Sequence, residues 1–200
     1  MFTNKQLGIY SLLILFFAIS CKTNYTPKRS GYFRIDFPKE RNFITYNSAS
    51  CPFTFDYADF GQIEYDSNDL NEAHSHPCWL NINYKDYNAK IYLSYTEISS
   101  SNSLDKLIKD SYKLTFKHTI RADYIDETIV KGKNPKVSGI IYDVGGNAAS
   151  GVQFYVTDST KNFLRGSLYF NVAPNIDSIA PAIQYFRNDV VHIINSLNWK

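Results

Sequence analysis

No cluster of lysine or arginine, no internal repeat, no low-complexity block and no apolar run long enough to cross a bilayer occurs in this 200-residue sequence. Each absence excludes something. A domain that neutralises nucleic-acid phosphates needs a basic patch or stripe. Here 21 Lys and Arg stand against 19 Asp and Glu, so no nucleic-acid partner is expected. The same near-neutrality gives no support to a peripheral contact with anionic lipid. Without repeats or biased segments the chain reads as one domain, long enough to bury a sizeable core. The longest apolar run, Leu7 to Ile19, falls short of the about 20 residues that a membrane helix needs. With Lys5 ahead of it, that run has the length of a signal-peptide core. Methionine occurs once and cysteine three times, whereas aromatic residues make up 16% of the chain. Tyr and Phe suit pleated strands, so a β-rich core with aromatic cross-strand pairs is expected. The alternative for so many rings is a glycan-binding module presenting several exposed aromatics in one plane.

The apolar run stops at Ala18-Ile19-Ser20-Cys21. This stretch resembles a bacterial lipobox, in which small residues fit the signal peptidase cleft and the thiol accepts a diacylglyceryl group. Ala18 stands where leucine is commoner, and ordinary secretion is the alternative. Each buried acyl CH₂ contributes about 0.8 kcal/mol, so a multiply acylated Cys21 would hold the chain on a membrane. Residues 1–20 are thus expected to be a lipoprotein signal peptide, 21–30 a lipidated cysteine with a flexible tether, and 31–200 a single domain. By similarity to other lipoproteins, Lys22 in place of an aspartate and the absence of an acidic cluster in the tether favour a periplasm-facing protein. Inner and outer membrane both stay open.

Within the domain, GYFRIDFP (31–38) predicts a first strand ended by Pro38, and 39–50 reads as loop. CPFTFDY and QIEYDS predict short strands, and WLNINY and KIYLSYTEI a hairpin around KDYNA. From Ser103 to about Arg121 the period changes to that of a helix, with Leu104, Leu107, Ile108, Tyr112 and Leu114 on one face. Four strand-like runs follow, DETIVKG, KVSGIIYDV, SGVQFYVTD and NFLRGSLYFNV, spaced as an antiparallel meander. The end of the chain predicts a second helix striped by Ile179, Ile183, Phe186, Val190, Ile193 and Leu197, capped by Asp177 or Ser178, with Pro181 in its first turn. The fold class expected is α+β, an antiparallel sheet packed with two long helices. In element order it is loosely similar to PsbP-like domains.

With Cys21 lipidated, Cys51 and Cys78 are the remaining thiols, and in an oxidising compartment they predict one disulfide. The rival reading makes His74, His76, Cys78 and Cys51 a zinc site, although His-x-His-x-Cys is not a recognised zinc spacing. GGNAASG (145–151) offers backbone amides to an anion or a turn between strands, and TDST (157–160) is read as a turn. An envelope hydrolase is the enzymatic alternative, drawing Ser150, Ser159 or Thr160 from these loops with His118 as base. His118 otherwise borders the core near a helix C-terminus, His192 is expected to be solvated, and Arg165 is expected to need a partner or water. No paired carboxylates, triad, metal motif or cofactor motif emerges, so no enzymatic activity, metal or cofactor is expected.

Several stretches resemble the gliding motility lipoprotein GldD family of Bacteroidetes. They are YTPKRSGYFRIDFP, CPFTFDY, CWLNINY, DSYKLTFKHTIRAD, YDVGGNAASGVQFYVTDSTKNFLRGSLYFN and FRNDVVHIINSLNW, preceded by the lipobox cysteine. The resemblance implies a cell-envelope lipoprotein required for gliding and associated with type IX secretion, with protein partners in that machinery. It brings no catalytic residues, only Cys21 as anchor and the Cys51–Cys78 bridge. The expectation is a membrane-anchored, non-enzymatic accessory or assembly factor.

Overall fold

The computed structural model describes residues 34–65 and 76–200. The expected signal peptide, Cys21, the tether, the start of the expected strand 31–38 and His74 lie outside them. Ten strands and two helices are described: β1 (Phe43–Asn47), β2 (Phe53–Ala58), β3 (Gln62–Tyr65), β4 (Trp79–Tyr84), β5 (Ala89–Glu97), α1 (Leu104–Phe116), β6 (Ala122–Lys131), β7 (Ser138–Gly146), β8 (Ser150–Thr157), β9 (Asn162–Phe170), α2 (Ile176–Ser196) and β10 (Asn198–Trp199). All ladders are antiparallel. A seven-stranded sheet runs β3-β4-β5-β9-β8-β7-β6, and a three-stranded sheet runs β1-β2-β10. The α+β class expected from the sequence is the one found.

Alternation places the core. Ala89, Ile91, Leu93 and Tyr95 of β5 point to one face, as do Leu80, Ile82 and Tyr84 of β4. This face meets α2 and the small sheet, where Phe186, Val190, Ile193 and Leu197 pack with Phe53 and Phe55 in the main cluster. The opposite face carries α1 over a smaller cluster of Tyr142, Tyr155 and Phe163. Covered on both sides, β8 is buried along its whole length.

Three local expectations are corrected. Residues 34–38 form no strand; the first strand is β1, inside the stretch read as loop. The alternating apolar residues before Pro38 are used for side-chain packing on α2, as Phe37 shows, and not for a ladder. On α1, Tyr112 and Leu114 are exposed at 44% and 41%, and the buried positions are Ser111 and Thr115. The 3.6-residue period fixes that a stripe exists, but its edges depend on a neighbour that covers only part of it. On α2, the helix starts at Ile176, so Pro181 lies beyond the first turn and removes one intrahelical hydrogen bond. Its N-terminal amide at Ile176 is capped from elsewhere, by Asn147 Oδ1 at 3.0 Å, and Asn175 at the N-cap makes no side-chain capping bond.

One close approach between strands is sequence-specific. A Cβ at Gly139 in β7 would collide with the backbone carbonyl oxygen of Tyr155 in β8, an atom held by the central ladder. Gly139→Ala is expected to destabilise the domain by about 1–3 kcal/mol, read as a lower urea midpoint at unchanged slope.

Candidate functional site

The first described stretch of the domain is fastened to one stripe of α2. Tyr185, Asp189 and His192 recur there at helical spacing, and all three are engaged. Phe37 stacks on the Tyr185 ring with centroids 4.0 Å apart and planes 11° from parallel. The Arg41 guanidinium lies over the same ring at 3.6 Å, donates to Asp189 Oδ1 at 2.8 Å, and donates to the Tyr185 carbonyl at 3.0 Å. Phe43 stacks on His192 at 3.6 Å. His192, expected in solvent, is therefore half covered by β1, and burial lowers its pKa. Sequence periodicity put it opposite the apolar stripe correctly; it missed that the N-terminal segment covers that side too.

Asp189 is 1% exposed. Burial pushes its carboxyl up to about 6, against the opposing pull of Arg41. Its second oxygen and the hydroxyl of the fully buried Tyr84 have no hydrogen-bond partner among the described residues. Burial, and then the Asp189 charge, push the Tyr84 hydroxyl well up. Among the described residues the carboxylate thus depends on one cation, Arg41, which lies near the start of the described chain.

Cys51 and Cys78 are joined as a disulfide, with Cα atoms 5.4 Å apart. The zinc alternative loses both thiolates to this bond, and His76 Nδ1 accepts a hydrogen bond from the Cys78 amide at 3.1 Å. Among the described residues no group of three or more His, Cys, Asp or Glu is placed to hold a metal ion.

The two loops considered for chemistry sit at opposite ends of β8. Seven residue steps at about 3.3 Å each separate Ser150 from Thr157 by about 23 Å, so no one site draws on both turns. In the first, Ser150 is fully buried and donates to the Leu168 carbonyl at 2.9 Å, and Asn147 caps α2. In the second, Asp158 Oδ1 accepts from the amides of Thr160, Lys161 and Asn162 at 2.8–2.9 Å, and Oδ2 from Asn162 Nδ2 at 2.7 Å. Burial opposes the ionised form, yet these bonds outweigh it and hold the carboxyl at about 2. The TDST stretch is a turn, as expected. His118 falls in a 3-10 turn after α1, Lys117–Ile120, and its side chain lies outside the described residues.

Arg165 does have a partner, although not a carboxylate: its Nη2 donates to Gln153 Oε1, which also accepts from Thr115 Oγ1 at 3.3 Å. Burial lowers the Arg165 pKa. The same face of the large sheet carries a cleft of about 890 Å³ lined by Asn83, Lys85, Asn88, Lys90, Tyr92 and Tyr169. Of its two lysines, Lys90 is paired with a carboxylate. Glu64, just outside the cleft, accepts from Asn83 at 2.8 Å and Lys90 at 3.0 Å, and these bonds lower its pKa. Tyr92 and Tyr169 stand at 90° to each other, so they share no plane on which a sugar ring would stack.

No helix among the described residues is long and apolar enough to cross a membrane. No curated protein matches the chain. Among solved structures it is similar to cyanobacterial PsbP from Synechocystis sp. PCC 6803, at 10% sequence identity and a TM-score of 0.46, over 84% of this chain and 98% of that one. A family model described as gliding motility lipoprotein GldD matches residues 22–199, beginning directly after Cys21, and the chain belongs to that family.

Proposed function

We propose that this chain is a non-enzymatic accessory or assembly factor of the gliding and type IX secretion machinery of Bacteroidetes, held at the cell envelope by lipidated Cys21 and facing the periplasm. The observation that carries the reading is the fastening of the first described residues to α2. Phe37 and Arg41 lock the segment that follows the anchor onto the helix that closes the main core. A domain so attached is presented from its membrane at a fixed site on its surface, which suits holding a partner in place. Family membership supports the gliding and lipoprotein parts of the reading. The polar groups of the 145–160 loops support the non-enzymatic part, because Ser150, Asn147 and Asp158 are spent on the fold.

In vivo crosslinking in the native bacterium tests it, with the intact chain and a Cys21→Ala control compared by mass spectrometry. Gliding or type IX secretion components are expected with the intact chain and at least tenfold less with the control. Equal capture by both would remove the anchor from the mechanism. Capture of glycan alone would replace the accessory role with a glycan-binding one.

A further inference from the structure

We propose that β6 is a docking edge at which an extended, basic segment of a partner protein adds as an eighth strand of the large sheet. The inference rests on the accessory-factor reading and assigns its binding face.

Three observations converge on β6. The first is the ladder. Among the described residues β6 pairs with β7 alone and ends the large sheet, and it is ten residues long, against four for β3 at the other end. Its outward amides and carbonyls form a template for another strand. Soluble proteins blunt such edges with proline, with shortness, with bulges along the strand or with charged side chains, and of these β6 has only the charges along its length. β6 has no proline, and its one irregularity is at the start, between Ala122 and Tyr124.

The second is apolar surface left unfinished beside that edge. Ile129 is 77% exposed and sits opposite Ile140 on the face that carries α1. Ile125 and Ile140 are only partly buried against the small cluster under α1, and Tyr112 on α1 is 44% exposed. A strand added to β6 would set a side chain directly against Ile129 and extend this cluster sideways.

The third is charge. Asp123, Asp126 and Glu127 are exposed, and none of them takes part in an ion pair among the described residues. Asp126 lies opposite Asp143, whose charge is already taken by Arg187 through two bonds of 2.6 and 2.8 Å. Lys131, at the far end, is the strand's one cation. This pattern disfavours a second copy: an antiparallel two-fold axis through Asp126 or through Glu127 sets that carboxylate against its own counterpart. It selects a strand of opposite sign. Reading along β6, the partner needs an apolar residue against Ile129 and, two and three positions on, basic residues against Glu127 and Asp126.

The test uses the full-length chain in detergent micelles and a synthetic ten-residue peptide of alternating Val and Thr with two adjacent lysines in that spacing. The control peptide carries aspartates instead. The lysine peptide is expected to bind and to slow hydrogen exchange in β6. Asp126→Lys/Glu127→Lys is expected to weaken it at least tenfold and to bind the aspartate peptide instead. An unchanged circular dichroism spectrum shows that the variant is folded. Unaltered β6 exchange, or equal binding of the lysine peptide to both proteins, would overturn the docking edge. In cells, capture of the same gliding components by native and charge-reversed chains would also overturn it and leave the accessory role standing. Loss of capture in the reversed chain alone would support it.

Discussion

Arg41→Ala is expected to cost about 3–5 kcal/mol of stability at pH 8 and well under half of that near pH 5. The reason is the state of Asp189. At high pH the substitution leaves an ionised carboxylate in a site 1% exposed, without the guanidinium 2.8 Å away. At low pH the carboxyl is protonated, and what remains is the loss of the stacking on Tyr185 and of the bond to its carbonyl. The native protein should show the same carboxyl in its own pH profile. A folded-state value of about 6 against an ordinary 3.8 means that the folded chain keeps a proton that the unfolded chain gives up. Stability therefore falls as pH rises from about 4 through about 6, by an amount on the order of 3 kcal/mol, and is level above that. Asp189→Asn removes the titrating group and with it this slope. Urea denaturation of the native, Arg41→Ala and Asp189→Asn proteins across that range measures both effects. A gap between native and Asp189→Asn that does not change with pH would show that Asp189 titrates normally.

The double substitution Cys51→Ala/Cys78→Ala is expected to cost about 3–4 kcal/mol. The bond closes a loop of 27 residues in sequence separation, which contains β2 and β3. It joins the entry of β2, in the small sheet, to the entry of β4, in the large one, and both sulfur-bearing residues are 1% exposed. In the unfolded chain the closed loop removes conformations that the reduced chain would regain. Tyr46 adds a local contact, its hydroxyl donating to Cys51 Sγ at 3.3 Å. Denaturation of the native protein with and without reductant, beside the double variant, measures this cost. The reduced native protein should fall to the level of the variant, and no change on reduction would show that the loop is held by other contacts.

What the sequence made legible follows from the kind of signal each element carries. Strand pairs with strict alternation, such as WLNINY with KIYLSYTEI, were readable because burial on one face enforces period two. The long stripe of α2 was readable for the same reason at its own period. β1 was not, because FITYN has few buried positions and exists through its pairing with β2. β10, two residues long, is a strand only through its ladder with β2. At the site, the disulfide was legible from counting thiols. The Arg41–Asp189 clamp was not, since the partners are 148 positions apart and neither carries a local motif. The mark of Asp189 was a carboxylate beside the apolar stripe of a helix, which a sequence shows equally for solvated residues.

The seam between β5 and β9 also bears on how the chain reaches this fold. β4 with β5, and β6 through β9, are hairpin-linked blocks whose partners are close in sequence, but the large sheet closes only when Glu97 meets Asn162 and Ala89 meets Phe170. Contacts of such separation form slowly, on the order of milliseconds to seconds in sheet-rich domains. Until they form, each block offers an unpaired edge, with Leu93 and Leu164 uncovered, to whatever is nearby. A newly made chain thus passes through an interval of vulnerability set by this one junction. Substitutions at Leu93 or Leu164 should lengthen that interval, lowering yield in the cell before any loss of function in the folded protein.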